Sequence, residues 1–253
     1  MIVTQVGSAA AEFDLTPHWN VRQLGREGWG QASALTRELV DCFVSTVGQA
    51  LGQAGCHLVA EESEFITATW YGTCHVGELM HEQLREAGPR WLDPEQFLYY
   101  SPHSLLSAAA LALGVGGAGS TLLGPDAELQ ALAHAVRRIR SGRVASVVVA
   151  EYEALTPFAA FARSDGPGLP DDGALPTGRA AALVLTAGQE GEDAPAITVR
   201  RGIDDAGAQR LAEQHGAPVV QAGPGLLRTL TEARTPLVVL SGDPGRRDAV
   251  VLS

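Results

Sequence analysis

Lysine is absent from this chain: all 18 basic residues among its 253 are arginine. Acidic residues number 29, so the formal net charge is −11, which argues against a nucleic-acid-binding protein. The sequence has no uninterrupted apolar run of about 18 residues, the length that a membrane-spanning helix needs. Its first residues lack the basic and apolar segments of a signal peptide. These absences predict a soluble globular protein without a membrane span or a secretory signal.

Cysteine is scarce and odd in number, with Cys42, Cys56 and Cys74 at spacings that never form CxxC. This pattern favours a reducing compartment, so we expect a cytoplasmic protein with no disulfide framework and no structural zinc. The acidic loop around Asp171 and Asp172 lacks the ligand spacing of a calcium loop. We therefore expect no metal and no other cofactor.

The hydrophobic pattern alternates between strand and helix as far as Glu151. Apolar residues recur at helical spacing over 32–54, and a β-branched and aromatic run over 64–70 predicts a buried strand. This alternation predicts an α/β layered fold. The other predicted elements are a short opening strand over 2–7, a helix over 76–86, a strand pair at 179–187 and 196–201 joined by a polar turn, helices over 208–215 and 225–233, and strands over 237–240 and 249–252.

The segment from Gly114 to Gly119 matches the letters of the dinucleotide-binding motif GxGxxG. That motif needs a strand before it and a helix after it, so that the helix N-terminus faces the pyrophosphate. Here an alanine- and leucine-rich helical stretch precedes the glycines and a strand follows them. We therefore predict a tight crossing from helix to strand and no nucleotide site.

The order of elements from Phe97 to Glu153 is the most informative feature of the chain. A Pro-His pair begins a helix at 102–103, a Leu-Gly pair ends it at 113–114, and the strand STLL follows at 120–123. A second helix ends in the basic IRSG at 139–142, before the strand VVVA at 147–150. This order resembles the segment of β-ketoacyl synthases that surrounds the reactive cysteine. The cysteine position falls on Pro125, which has no nucleophile and no backbone N–H.

A second absence agrees with the first. Ketosynthases place their cysteine beside two histidines and a supporting lysine from the second half of the fold. After Glu153 this chain has a single histidine, His215, and no lysine. A nucleophile needs a partner within hydrogen-bond reach, so we assign no catalytic residue.

The resemblance implies a thiolase-like, layered α-β-α-β-α fold in one domain, 1–253. Its first half, 1–187, is complete and its second half, 188–253, is abbreviated. Within the family, the segment from Gly124 to Ala135 is most similar to chain-length factors, the ketosynthase-like subunits that also lack the cysteine. The shortened second half is similar to the chain-length factors of highly reducing type II polyketide and aryl polyene systems.

A chain-length factor pairs with a working ketosynthase, so the resemblance implies a catalytically silent partner in a heterodimer. The ketosynthase supplies the cysteine, histidines and lysine, and an acyl carrier protein delivers the growing polyketide or polyene chain to the complex. This subunit would shape the acyl tunnel. The residues that the resemblance places at the tunnel or the interface are Phe97, Leu98, Tyr99, Tyr100, His103, Ser120, Thr121, Leu122, Leu123 and Pro125.

Several of these positions have simpler interpretations. Four large side chains in a row, Phe97–Tyr100, are typical of a buried strand end. His103, at the start of a helix, is typical of a cap or an interface hydrogen-bonding group. At the helix end, Arg137, Arg138, Arg140 and Arg143 suit the helix dipole as a solvated terminus; an acidic carrier-protein contact is the alternative.

Two other functions stay open on the sequence alone. The first is an autonomous acyltransferase or thioesterase that uses Cys74 or a serine. Cys74 precedes His75, but neighbouring residues point in different directions, and a small buried thiol is the simpler interpretation. The second is a non-enzymatic scaffold that associates with itself.

Overall fold

The computed structural model describes residues 2–14, 29–55, 62–156, 177–188, 195–221, 225–233, 236–241 and 247–253. Cys56 and the predicted acidic loop with Asp171 and Asp172 lie outside these residues. None of the described helices has both the length and the apolar character that crossing a bilayer requires.

Six α-helices and nine strands are described, together with two short 3₁₀ helices, Pro89–Trp91 and Pro94–Tyr99. The strands are β1 (Ile2–Asp14), β2 (Glu64–Thr69), β3 (Gly119–Leu123), β4 (Ser146–Leu155), β5 (Thr177–Gly188), β6 (Ile197–Ile203), β7 (Val219–Gln221), β8 (Leu237–Ser241) and β9 (Arg247–Leu252). The helices are α1 (Trp29–Ala54), α2 (Cys74–Ala87), α3 (His103–Leu113), α4 (Ala127–Arg140), α5 (Asp205–His215) and α6 (Leu226–Glu232).

The larger of two sheets has five strands in the order β1-β5-β4-β2-β3. β5 is antiparallel to both β1 and β4, whereas β2 is parallel to both β4 and β3. The carboxyl ends of β2, β3 and β4 therefore lie at the same edge of the sheet. β3 forms its outer strand.

The smaller sheet has the order β6-β9-β8-β7. β9 is antiparallel to β6 and β8, and β7 is parallel to β8. This repeats the order and relative directions of β1, β5, β4 and β2. Among the described residues the smaller sheet has no counterpart of β3.

The two sheets and the helices form five layers. One face of the large sheet packs against α1 and α3, where Phe43 and Leu105 are fully buried. The other face packs against α4 and α6, which also cover the inner face of the small sheet, as with Leu132 and Val239. α5 covers the outer face of the small sheet through Ala208 and Ala212. The predicted α-β-α-β-α layering is confirmed.

Two predictions about the strands were wrong in part. β1 extends to Asp14 because it pairs with β5 from Ile2 to Asp14; its alanines have low intrinsic strand propensity, so this pairing was not evident from the sequence. The stretches 179–187 and 196–201 are strands, but they do not pair with each other: β5 lies in the large sheet and β6 in the small sheet. Two strands that are consecutive in the sequence but belong to different sheets have the same sequence pattern as a hairpin.

The glycine-rich segment is the predicted crossing from helix to strand. α3 ends at Gly114, which adopts a left-handed conformation with φ 70°. At Gly117 the chain passes so close to β2 that a Cβ atom would lie 2.2 Å from the carbonyl oxygen of Ser63. Glycine is thus required at this position for close backbone approach, which explains the motif without a nucleotide.

We expect Gly117→Ala to destabilise the fold by roughly 1–3 kcal/mol, since the added methyl group overlaps backbone that cannot move freely. The matched control is Gly52→Ala in α1, where a Cβ would meet nothing within 4 Å and a helical alanine is favoured by about 1 kcal/mol. Denaturant unfolding measures both. Equal stability of the Gly117 and Gly52 variants would contradict the proposed close approach.

Candidate functional site

Pro125 lies in the sharp turn between β3 and α4. Gly124 adopts φ 120°, and its N–H donates to the carbonyl of Thr69 at the end of β2 (3.1 Å). The N–H of Ala127 then donates back to the carbonyl of Gly124 (3.1 Å) as α4 begins. A side chain at position 125 is therefore presented at the carboxyl edge of the large sheet. Pro125 is exposed there, and its side chain is a hydrocarbon ring without a nucleophilic atom.

A chain of hydrogen bonds runs beside this turn. Thr67 on β2 and Thr121 on β3 join through their hydroxyl oxygens (2.8 Å), and Nδ1 of His103 bonds Oγ1 of Thr121 (2.9 Å). His103 is exposed at the start of α3. Its ring therefore bonds β3 on the sheet face that α3 covers.

The predicted strand end at Phe97–Tyr100 is wrong. These residues form the end of a 3₁₀ helix, which begins at Pro94 because the Asp93 carboxylate accepts the N–H of Glu95 (2.9 Å). Phe97 and Tyr100 are 56% and 59% exposed. Leu98 is also exposed, and Tyr99 is half-buried against the helical layer that contains α1.

The exposed apolar side chains extend from this 3₁₀ helix to the turn at Pro125. Thr73 donates from Oγ1 to the carbonyl of Tyr100 (2.6 Å), which fixes the segment over the start of α2. A Cβ at Gly72 would lie within 3.4 Å of both Pro102 and Leu123, so this segment and the end of β3 are neighbours. We define the edge patch as Phe97, Leu98, Tyr100, Leu123 and Pro125.

β3 itself is an unprotected edge. Within the described residues it pairs only with β2, from Phe65–Gly119 to Thr69–Leu123. Its sequence GSTLL contains no charge and no proline, the devices that normally prevent an exposed edge from pairing with another chain. An uncharged edge strand flanked by large exposed apolar side chains is typical of a protein–protein interface.

The sequence analysis missed a buried acidic cluster behind the turn. Glu151 and Glu153 on β4 are 1% and 2% exposed, and they face Glu128 in the first turn of α4 and Arg179 on β5. The signal was present: two carboxylates at spacing i, i+2 place both on one face of an otherwise apolar strand. Only the fold shows that α4 and β5 add a third carboxylate and a cation.

Glu153 supports the turn after β2. Its carboxylate accepts the backbone N–H groups of Trp70 and Tyr71. Burial nevertheless raises the pKa of Glu153 to about 7, because removal from water outweighs these hydrogen bonds and the nearby Arg179 charge. The role of Glu153 is to hold backbone at the carboxyl edge of the sheet.

Cys74 is exposed at the start of α2, so the prediction of a small buried thiol was wrong. Partial burial and the carboxylates of Glu78 and Glu153 raise the pKa of the thiol, the opposite of what an activated nucleophile needs. His75 points into the interior, where burial lowers its pKa to about 4. The two side chains do not form a nucleophile–base pair.

The basic end of α4 lies far from Pro125. Arg138 forms an ion pair with the buried Glu64, to which it donates from Nε and Nη2. Arg137, Arg140 and Arg143 are exposed. Because α4 has 14 residues, its two ends are about 20 Å apart. In the described part of the chain, no group of three or more His, Cys, Asp or Glu side chains is arranged to hold a metal ion.

No family model matches this sequence, and no curated protein sequence matches it. Solved structures with a similar fold include the ishigamide ketosynthase/chain length factor, at 15% identity and TM-score 0.65 over 100% of this chain and 99% of that chain. The ketosynthase ApeO in complex with its chain length factor ApeC, from Xenorhabdus doucetiae, matches at 14% identity and TM-score 0.59 over 99% of each chain. The type II polyketide synthase assembly AntDE:AntF, an acyl-carrier protein in complex with its ketosynthase bound to the hexaketide, matches at 14% identity and TM-score 0.66, over 100% and 99%.

These likenesses establish the fold: the chain has the architecture of ketosynthase and chain-length-factor proteins. Such structural similarity shows the fold, and the site must show the function. In this chain the site consists of a proline turn, an uncharged edge strand and the edge patch.

We expect the thiol of Cys74 to react with iodoacetamide more slowly than free cysteine at neutral pH. The thiolate is the reacting form, so the rate falls about tenfold for each unit by which the pKa is raised. Peptide mapping by mass spectrometry distinguishes Cys74 from the half-buried Cys42. Alkylation of Cys74 faster than that of free cysteine would favour the acyltransferase or thioesterase hypothesis.

Proposed function

We propose that this chain is the catalytically silent, chain-length-factor-like partner of a ketosynthase. The observation that carries the proposal is the turn between β3 and α4, which presents Pro125 at the carboxyl edge of the large sheet; the resemblance assigns the ketosynthase cysteine to this position. The fold supports the proposal, and so does the absence of lysine from the whole sequence. The partner would supply the nucleophile, the histidines and the lysine of the condensing site.

We also propose that residues 1–253 act as one domain with a complete first half and an abbreviated second half. The repeated strand order supports this division. The abbreviated half retains the small sheet, which buries α4 and α6. We assign this half a structural role.

The heterodimer forms along β3 and the edge patch. A partner strand beside β3 would satisfy its outward N–H and C=O groups, and the partner's apolar surface would cover Phe97, Leu98 and Tyr100. A standard interface removes about 1,600 Å² from water in total, with aromatic side chains near its centre. The edge patch has the composition of such a centre.

The same residues shape the acyl tunnel. Bulky side chains reduce the volume beside the partner's cysteine, and each methylene of an acyl chain that finds an apolar environment gains about 0.8 kcal/mol. Elongation stops where the wall excludes the next unit. We assign this wall to Phe97, Leu98 and Tyr100, with His103 and Thr121 as its hydrogen-bonding groups.

The acyl carrier protein binds the assembled complex. For a direct contact with this subunit we propose the exposed guanidinium groups of Arg137, Arg140 and Arg143. Arg138 is excluded from this contact because Glu64 holds it. Because this basic end of α4 lies far from Pro125, we assign it to docking of the carrier protein and not to contact with the growing chain.

We expect this chain to co-purify with a cysteine-containing ketosynthase encoded beside it as a one-to-one complex. Leu123→Glu should weaken the complex by at least about a hundredfold, because the new carboxylate would be buried unpaired in the interface. Val220→Glu is the matched control, since Val220 is exposed on the edge of the small sheet and the complex should tolerate it. Size measurement by light scattering and titration by calorimetry provide the readouts.

Three results would count against this assembly. A stable monomer that does not bind the ketosynthase would refute the pairing. A homodimer of this chain that persists in the presence of the ketosynthase would favour the scaffold hypothesis. Equal affinity of the Leu123 and Val220 variants would show that β3 is not the interface.

We expect Phe97→Ala or Tyr100→Ala, reconstituted with the ketosynthase, to lengthen the products while the first condensation continues. Each added two-carbon unit gains burial in the enlarged tunnel, enough to shift the product distribution several-fold per unit. Mass spectrometry of the carrier-bound products measures the effect. The control is Trp91→Ala, an exposed aromatic side chain on the preceding 3₁₀ helix, which should leave length unchanged.

The chain without its partner should form no elongated product from acyl- and malonyl-carrier protein. Turnover by the lone chain that survives Cys74→Ala would overturn the whole proposal. Unchanged product length in active Phe97 and Tyr100 complexes would show that this subunit stabilises its partner without setting length.

A further inference from the structure

Glu128 joins the two helices of the central layer. It lies in the first turn of α4, and its carboxylate accepts the N–H groups of Gly225 (2.9 Å) and Leu227 (2.8 Å). These N–H groups begin α6, a helix of the second half of the chain that packs in the central layer beside α4. Hydrogen bonds from backbone N–H groups to a carboxylate are charge-assisted and stronger than those between neutral groups.

Glu151 lies against this junction from the side of the large sheet. It is 1% exposed on β4, and neither of its carboxyl oxygens accepts a hydrogen bond from an N–H or hydroxyl group of the described residues. The Nε of Arg179, on β5, is 3.8 Å away, beyond hydrogen-bond distance. The neighbouring carboxyl group is Glu128, because Arg179 lies between Glu151 and Gly225, and the N–H of Gly225 donates to Glu128.

Two carboxyl groups can bond to each other only when one of them holds a proton. Three carboxylates face each other here: Glu128 from α4, and Glu151 and Glu153 from β4. Among the residues that the structure describes, a single cation, Arg179, faces them from β5 and also lies beside Gly225 at the start of α6. Glu128 and Glu153 each accept two backbone N–H groups, whereas Glu151 has none, so Glu151 is the group that retains the proton.

We propose that protonated Glu151 donates a hydrogen bond to ionised Glu128, and that this shared proton holds α6 against α4 and β4. The contact lies wholly inside this chain, so it does not depend on the proposed pairing with a ketosynthase. Loss of the proton would place two like charges side by side in the interior, with one guanidinium between three carboxylates. The start of α6 would then separate from α4.

The sign of the pH effect follows from the burial of Glu151. Burial and the Glu128 charge raise the pKa of Glu151 well above its usual range, so the folded chain holds a proton that the unfolded chain releases. Stability is then greatest at low pH, below the usual glutamate value. It is lost as pH rises through the folded-state pKa.

Hydrogen exchange of the full-length chain tests the pair. Between the usual glutamate pKa and the raised pKa of Glu151, the protection factors of the α6 amides should fall by up to about tenfold per pH unit, because opening releases the proton of Glu151. Above the raised pKa this slope should vanish. Glu151→Gln keeps an N–H donor toward Glu128 and removes the titration, so its α6 protection should lose the part of the slope that Glu151 contributes.

Infrared spectroscopy detects the proton directly. The carbonyl band of a protonated carboxylic acid should remain in the wild type at a pH where Glu153, with a pKa of about 7, is mostly ionised. It should be lost in Glu151→Gln and kept in Glu153→Gln. A second control, Glu64→Gln, removes a buried carboxylate that pairs with arginine and should leave the band and the pH slope of α6 unchanged.

Several outcomes of these experiments would contradict the proposal. An acid band absent from the wild type, or one that disappears with Glu153→Gln and persists in Glu151→Gln, would overturn the proposal. So would an α6 protection slope that is the same in the wild type and in Glu151→Gln. If Glu151→Gln fails to fold, the infrared band of the wild type and of Glu153→Gln still decides whether a proton is held.

Discussion

Burial of α4 between two sheets is the constraint on which the rest of this structure depends. Ala131 and Ala135 have no accessible surface, and Leu132 and Ile139 are equally buried, so small and apolar residues face both sheets, whereas Gln130 and Arg137 on the remaining side are exposed. The charged residues of α4 lie in its first and last turns. Two of them are paired: Glu128 binds the start of α6, and Arg138 binds Glu64. Both sheets must therefore form for α4 to be stable, and the turn that precedes it is held rigidly at the edge of the large sheet.

This arrangement separates the parts that stabilise the fold from the part that meets a partner. The carboxyl edge of the large sheet contains a proline turn and a buried acidic cluster in which Glu128 and Glu153 bind backbone. The groups presented outward are the uncharged β3 and the edge patch. In the proposed function this edge contributes surface and shape, and the partner contributes the nucleophile. A partner surface over the edge patch would account for the large apolar side chains that are exposed there.

Much of the fold could be predicted from the sequence because its helices and strands have strong periodicity, as in 32–54 and 64–70. The pairing of strands could not, since β5 and β6 are neighbours in sequence and belong to different sheets. The exposed 3₁₀ helix was mistaken for a strand end because Phe97–Tyr100 is apolar, whereas Asp93 and Pro94 decide the local backbone. The order of elements predicted that Thr121 lies in β3 and Pro125 in the turn that follows it, and their function there stays a prediction. The buried acidic cluster was missed because four groups from α4, β4 and β5 meet in it, and no local pattern specifies such a contact.

We propose that β3 and the turn at Pro125 form a partner surface in place of a catalytic site. Hydrogen exchange over residues 119–123, measured on this chain with and without the proposed ketosynthase partner, is the decisive measurement, because backbone pairing across an interface protects the amides of an edge strand. Exchange in β3 should slow strongly in the complex, while exchange in the small-sheet edge strand β7 should stay the same. A complex that forms with no change in β3 exchange would contradict it.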